Sequence, residues 1–248
     1  MIVPPSLIRI GTAGWTLPKQ HASQFPEEGS HLLRYAQRLN CVEINSSFYH
    51  PHRRKTWERW TATTPDNFRF SVKIPKSITH TAKLIRTGAL LQEFLDQTHG
   101  LGDKMGTLLV QLPPKLAFDE GTAHEFFLTL RELHTGAIAL EPRHVSWFTP
   151  VVDRLLRSFE IARVAADPPK GSALAAKPGG WQGFRYYRLH GAPRTYYSDY
   201  SEDFLQQFAN ELPGESVETW IIFDNTALGH ATVNALQLGN FFTEQRAD

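Results

Sequence analysis

A single cysteine, Cys41, stands in 248 residues, which excludes an internal disulfide and points to a reducing compartment, the cytoplasm. No run of ~18 or more apolar residues occurs, so no membrane-spanning helix is expected. The N-terminal MIVPPSLIRIG has no charged segment leading into a long apolar one, so no signal peptide is expected. Net charge is scarce as well. A formal charge of +1 at pH 7 speaks against a surface coated with phosphate-binding side chains, and the one short basic run, Arg53, Arg54 and Lys55, reads as a solvated helix start. The phosphate-loop pattern GxxxxGK and the dinucleotide fingerprint are also missing; GTAGW at 11–15 holds glycines that suit a turn at a strand end.

What is present is alternation. Strand-like runs recur at Leu7–Gly11, Cys41–Asn45, Phe68–Ile74, Gly106–Leu112, Ala137–Arg143, Ile161–Asp167, Phe184–His190 and Thr219–Asp224. Helical stripes lie between most of them: Leu32, Leu33, Ala36 and Leu39 after a capping Ser30; Leu90, Leu91, Phe94 and Leu95; Phe126, Phe127, Leu130 and Leu133; Val152, Leu155, Leu156 and Phe159; Phe204, Leu205 and Phe208; Leu228, Ala231, Ala235 and Leu238. Strands alternating with helices predict parallel pairing through crossovers. The exception is DPPKGSALAAKPGGWQG at 167–183, where prolines and glycines replace helical periodicity in a stretch long enough for a crossover.

Side-chain parity narrows the fold. Ile8 and Ile10, Val42 and Ile44, Phe70 and Val72, Leu108, Val110 and Leu112, Ile138 and Leu140, Val164, Tyr187 and Leu189, Ile221 and Phe223 share the faces suited to covering helices. The opposite faces are small or apolar early and polar late: Glu43 and Asn45, Lys73, Gln111, Glu141 and Arg143, Asp167, Arg188 and His190, Asp224. An open doubly wound sheet would want both faces apolar. A closed eight-stranded barrel explains why polar positions gather at the strands' C-terminal ends. The expectation is an α/β fold, a TIM-type (β/α)8 barrel forming a single domain over residues 1–248, with its sixth helical crossover replaced by the Pro/Gly-rich loop.

That mouth suggests chemistry. Glu43, Lys73, Glu141, His190 and Asp224 are the candidate catalytic groups, because burial among mixed charges moves carboxyl, imidazole and amine pKa values towards neutrality. Arg143 and Arg188 suit bidentate capture of a carboxylate or phosphate, and Asn45, Gln111, His144 and Asn225 add polar contacts. Aromatics crowd the loops after the strands (Trp15, Phe48, Tyr49, Trp147, Phe148, Tyr196, Tyr197, Tyr200); Tyr49, Trp147 and Tyr197 are taken as substrate-binding, able to stack on a sugar or base. The bland alternative is an ion-pair ring that only closes the barrel. Lys73 has two readings, an ion pair with Glu43 or Glu141, which is favoured, and a Schiff-base amine. Asp224 and Asn225, in DNT, also read as a helix cap.

With GTAGW, VEINSSFY, FRFSVKIP followed by ITH, LLVQLPP, EPRHVSWF, YYRLHG with its trailing YYSDY, and FDNTALGHATVNAL in this order, the chain resembles the YecE-like family, a domain of unknown function (number seventy-two). The resemblance implies a TIM-type barrel and no settled activity, cofactor or catalytic residue. Where many relatives carry further aromatics after the first-strand tryptophan, this chain has TLPKQHASQFP. The favoured function is a cytoplasmic enzyme using acid–base and electrostatic catalysis on a small anionic or polyhydroxylated substrate, a hydrolase, lyase or isomerase, without cofactor or metal. The alternatives are a metal-dependent barrel isomerase or nucleic-acid phosphodiesterase, and a non-catalytic nucleotide or nucleic-acid binder. Nucleic acid is the less favoured partner, and no membrane partner is expected.

Overall fold

The computed structural model describes residues 7–212 and 217–244, the backbone alone at 243 and 244; residues 1–6, which carry part of the leader reading, lie outside it together with 213–216 and 245–248. The chain runs β1 (Ile8–Thr12), α1 (His31–Ala36), β2 (Cys41–Ile44), α2 (Ser46–Tyr49), α3 (Arg54–Thr63), β3 (Arg69–Lys73), α4 (Gly88–Thr98), β4 (Met105–Gln111), α5 (Glu120–Leu133) and β5 (Ala137–Glu141). It continues through α6 (Pro150–Ser158), β6 (Ile161–Arg163), β7 (Ala165–Asp167), β8 (Gly179–Gly180), β9 (Arg185–Leu189), α7 (Glu202–Glu211), β10 (Thr219–Phe223) and α8 (His230–Glu244). The fold is α/β with two largely parallel sheets, ordered β1-β10-β9-β7 and β2-β3-β4-β5-β6-β8. Among the described residues only β8, on β6, pairs antiparallel. Among the described residues no helix is long and apolar enough to cross a membrane.

Local chemistry sets the helix starts. Ser30, Asp119, Thr149 and Ser201 each cap a helix by accepting a backbone N–H three residues on, and Pro150 opens α6 where its missing donor costs nothing. α2 departs from the expected pattern: SSFY follows β2 directly as a single turn. Leu228 and Leu90 are exposed, so neither joins the stripe assigned to it; Leu228 precedes α8 altogether.

Two apolar clusters divide the strand faces. The larger joins Ile8, Val42, Phe70, Leu108, Ile138, Leu189 and Ile221 to the helices; the smaller holds Cys41, Leu109, Ala139, Ala162, Val164, Tyr186 and Trp220. Val164, expected on the helix-facing side, belongs to the smaller cluster. The expected sixth strand breaks at this residue, whose N–H still bonds Leu140 while Ala165 onward pairs β9. Counting from Ala162 and Val164, Asp167 falls on the other face, and its carboxylate accepts the Tyr200 hydroxyl at 2.7 Å rather than entering the charged group. Between β7 and β9 lies no α-helix, only a 3-10 turn at Ala173–Ala176 and β8.

The sheets approach each other at β1 and β2, where side chains stand in for a ladder. Asn40 receives Ile10 N–H at 2.9 Å and donates to Ile8 C=O at 3.0 Å. The Tyr35 hydroxyl accepts Thr12 N–H at 2.8 Å and donates to Cys41 C=O at 2.9 Å, and Ala13 bridges Glu43. Gly11 is required here, because a Cβ would lie 2.1 Å from the Cys41 carbonyl oxygen. Tyr35→Phe leaves a buried N–H and a buried C=O without this partner, so a loss of about 2–4 kcal/mol is expected in denaturant titration; a loss below about 1 kcal/mol would show that the seam does not depend on the hydroxyl.

Candidate functional site

Alternation sends Val42 and Ile44 of β2 into the helix-facing cluster and Glu43 to the other face; the same rule places Glu141 at the end of β5 and Arg188 on β9. These three meet. Arg188 is fully buried (0% exposed). Its Nε and Nη2 donate to Glu43 at 2.9 and 2.7 Å, Nη1 to Glu141 at 2.6 Å, and Nη2 also to Asp224 at 3.1 Å. The outer oxygens are tied down in turn. The Tyr186 hydroxyl donates to Glu43 Oε2 at 2.9 Å, with Ser71 Oγ 2.7 Å behind it. Arg143 Nε and Nη2 both reach Glu141 Oε1 at 2.8 Å. His190 Nδ1 stands 2.9 Å from Asp224 Oδ2, and its Nε2 stands 3.4 Å from Glu141 Oε1, near enough for charge but not aimed as a hydrogen bond.

Each group's acidity follows from its neighbours. Burial alone would raise the Glu141 carboxyl, but Arg188 and then Arg143 hold it well below the usual carboxylate range. Asp224 is lowered in the same way, burial being outweighed by Arg188 and His190. Burial opposes charge on His190, as does Arg188, yet Glu141 and the bond to Asp224 raise its pKa. Burial and Glu43 push the Tyr186 phenol well above its ordinary value, so it remains a donor. Three acids thus face two guanidiniums and a histidine whose pKa their neighbourhood raises.

Lys73 is left over. It is 7% exposed, makes no ion pair among the described residues, and holds its ammonium 4.4 Å from the centre of the Phe48 ring. The expected pair with Glu43 or Glu141 is not formed, because Arg188 occupies both. Burial first, then Arg188, lower its pKa to about 8. His80, packed edge-to-face on the same ring (4.9 Å between centroids), is lowered by burial and then by Lys73, Arg143 and Lys76, and so favours neutral imidazole. Of the three acids only Asp224 keeps an oxygen, Oδ1, without a partner among the described residues.

Other expected site residues fall in different places. Arg188 is poorly placed to clamp a substrate, since four of its five N–H donors are spent on three carboxylates and the residue is fully buried; Arg143, half-buried, keeps open N–H groups. Gln111 lies beside Glu141 in the β4–β5 register. Asn45 follows Glu43 at the start of α2, its Oδ1 buried and unpartnered. Trp147 is core: it packs on Phe118 and Phe127 and donates to Leu116 C=O at 2.9 Å, because the turn after β5 folds it under the loop. His144 caps that turn by accepting Ser146 N–H. Asn225 is buried and braces the loop after β9 through Ser198 C=O and Asn234, both at 2.9 Å; neither it nor Asp224 caps α8, which starts at His230. Tyr49 (67% exposed) lines a cleft of about 450 Å³ with His52, Trp57 and Lys76; Ser47 and Phe48, which both touch Lys73, line it too. Tyr197 pairs with Arg194 on the surface. Tyr196 stands closer, its ring 6.0 Å from His190.

Tyr186, Ser71 and His80 escaped sequence reasoning as site residues. Tyr186 and Ser71 sit mid-strand, below the expected polar layer; His80 had a signal, since ITH follows the lysine strand closely. The acids meet a guanidinium where a metal ion would stand, and among the described residues no three His, Cys, Asp or Glu side chains are arranged to hold one.

Arg188→Met strands three buried carboxylates and is expected to cost about 3–5 kcal/mol in denaturant titration; a cost under about 1 kcal/mol would refute the central role of the guanidinium. Lys73→Met goes the other way. A lysine whose folded pKa of about 8 lies below its ordinary 10.5 destabilises the fold wherever it must carry a proton. The variant is therefore expected to gain on the order of 3 kcal/mol at neutral pH. The gain should shrink as pH rises through 8 towards 10.5, and a pH-independent difference would contradict it.

The family model described as "Protein of unknown function DUF72" matches residues 9–248. The chain is 35% identical to UPF0759 protein YecE of Escherichia coli (strain K12) over 168 residues, which cover 65% of this chain and 59% of that protein. It is 25% identical to UPF0759 protein YunF of Bacillus subtilis (strain 168), over 94% of this chain and 93% of that one. Among solved structures, a DUF72 family protein from Thermotoga maritima MSB8 superposes with a TM-score of 0.77 at 25% identity, covering 95% of this chain and 99% of the other. With the family model running over nearly its whole length, this chain belongs to the DUF72 family, the YecE-like proteins whose motifs its sequence carries.

Proposed function

We propose that the two sheets close into one TIM-type (β/α)8 barrel forming a single domain, and that the chain is a cytoplasmic enzyme working on a small anionic substrate at the C-terminal mouth of that barrel. Support for closure comes from the side-chain seam of Asn40 and Tyr35 between β1 and β2 and from Val164, where one run of chain passes from β5 to β9. Enzymes of this architecture keep their chemistry at the C-terminal strand ends.

The observation that carries the function is the uncompensated ammonium of Lys73. Glu43, Glu141 and Asp224 are already engaged by Arg188, Arg143 and His190, so a protonated Lys73 adds a positive charge that none of them pairs. A ligand with one or two negative charges restores the balance, held by Lys73 and the open donors of Arg143. The carboxylates act as a fixed electrostatic frame rather than as exchanging acids and bases. Proton transfer falls to Lys73, whose pKa of about 8 lies close to working pH, with His80 beside it.

Inorganic phosphate, acetate, pyruvate and malate are suitable probes in calorimetric titration. Saturable binding of at least one of them is expected, weakened about tenfold or more in Arg143→Met by loss of one charge-assisted contact. No saturable binding, or wild-type affinity in Arg143→Met, would overturn the reading.

A further inference from the structure

We propose that Lys73 Nζ is a nucleophile that condenses with an aldehyde or ketone carrying a carboxylate or phosphate. The proposal deepens the reading above and rests on it: the anion directs the ligand to the site, and the carbonyl reacts there.

Placement comes first. Lys73 ends β3, and Ser47 Oγ donates to its carbonyl at 2.7 Å, so the strand end that carries the amine is held to α2. Its side chain lies over Phe48 at 4.4 Å with no carboxylate paired to it among the described residues. An ammonium locked in an ion pair is a poor nucleophile because the pair must break before the lone pair is free; Lys73 has none to break. Arg188, fixed by its three acids, adds a permanent positive charge that disfavours the ammonium, while Glu43, Glu141 and Asp224 act more weakly in the opposite sense. With a pKa of about 8, on the order of a tenth of Lys73 is unprotonated at neutral pH, several hundred times the fraction for a solvated lysine.

The step balances. The neutral amine adds its lone pair to the carbonyl carbon, and the π electrons move to oxygen, which is protonated to give a carbinolamine. The hydroxyl then leaves as water on taking a second proton, and the nitrogen becomes a protonated iminium. From ammonium and carbonyl the net products are iminium and one water, with one positive charge throughout, so the pairing with the ligand's anion survives. His80, packed on the same Phe48 ring as Lys73, is the group available to move protons. The iminium draws electrons from the adjacent carbon, which suits proton abstraction or carbon–carbon cleavage at that position.

The test uses formaldehyde and glyoxylate as neutral and anionic probes, each with sodium cyanoborohydride to trap the iminium, and peptide mass spectrometry to follow every lysine. At neutral pH Lys73 is expected to be alkylated by glyoxylate about tenfold or more faster than the other lysines, with a rate that reaches half its maximum near pH 8. Arg143→Met should slow glyoxylate but not formaldehyde. Labelling of Lys73 no faster than the surface lysines by either probe overturns the proposal. Fast labelling by formaldehyde alone overturns the anionic substrate class. If the probe anions bind as expected while Lys73 stays unlabelled, the nucleophile fails and the anion site stands. If no anion binds, both fall.

Discussion

A guanidinium buried among three carboxylates is the constraint on which the strand ends depend. Arg188 reaches Glu43 of β2, Glu141 of β5 and Asp224 just after β10, so four separate parts of the chain meet on one planar cation. A buried charge is tolerated only when paired and hydrogen-bonded, and here the demand runs both ways. The acids cannot be neutralised without Arg188, and Arg188 cannot stay in the interior without all three. Tyr186, Ser71, Arg143 and His190 then complete the hydrogen bonding around the rim of this group. The result is a rigid polar layer lying above the smaller apolar cluster.

That layer explains why Lys73 differs from its neighbours. In an uncompensated cluster it would have become one more salt bridge. Because the carboxylates are already taken, its amine faces Phe48 and feels Arg188 as a repelling charge. Burial first, then Lys73, Arg143 and Lys76, lower the pKa of His80. Burial and the locked charges therefore leave Lys73 with a pKa of about 8 and His80 as a neutral imidazole, a pair suited to acid–base or nucleophilic chemistry. The frame and the reactive pair are not interchangeable: His190, locked between Asp224 and Glu141, is pushed up in pKa, while His80 is pushed down.

The two sheets show a comparable division of labour. Ladder hydrogen bonds hold most strand neighbours, but between β1 and β2 Asn40, Tyr35 and the bare backbone of Gly11 do so instead. The run at 167–183, short of helical periodicity, places a 3-10 turn and a two-residue antiparallel strand where a covering helix would stand. Regular pairing carries most of the architecture, and side chains take over at the irregular joins.

By itself the sequence determined the alternation of strands and helices, the cap Ser30 and the faces of Glu43, Glu141, Arg188 and Asp224, since these follow from local period and residue chemistry. It did not determine who pairs with whom. Ion-pair assignment among several acids and bases depends on distances across strands far apart in sequence, so Arg188 read as a substrate clamp and Lys73 as an ion pair, and both were decided otherwise by tertiary contact. Asp167 went astray for a smaller reason: Val164 reads as helix-facing, whereas unbroken alternation from its true face, shared with Ala162, turns Asp167 to the other side. Trp147 has the composition of a binding aromatic, and only the path of the loop after β5 made it core.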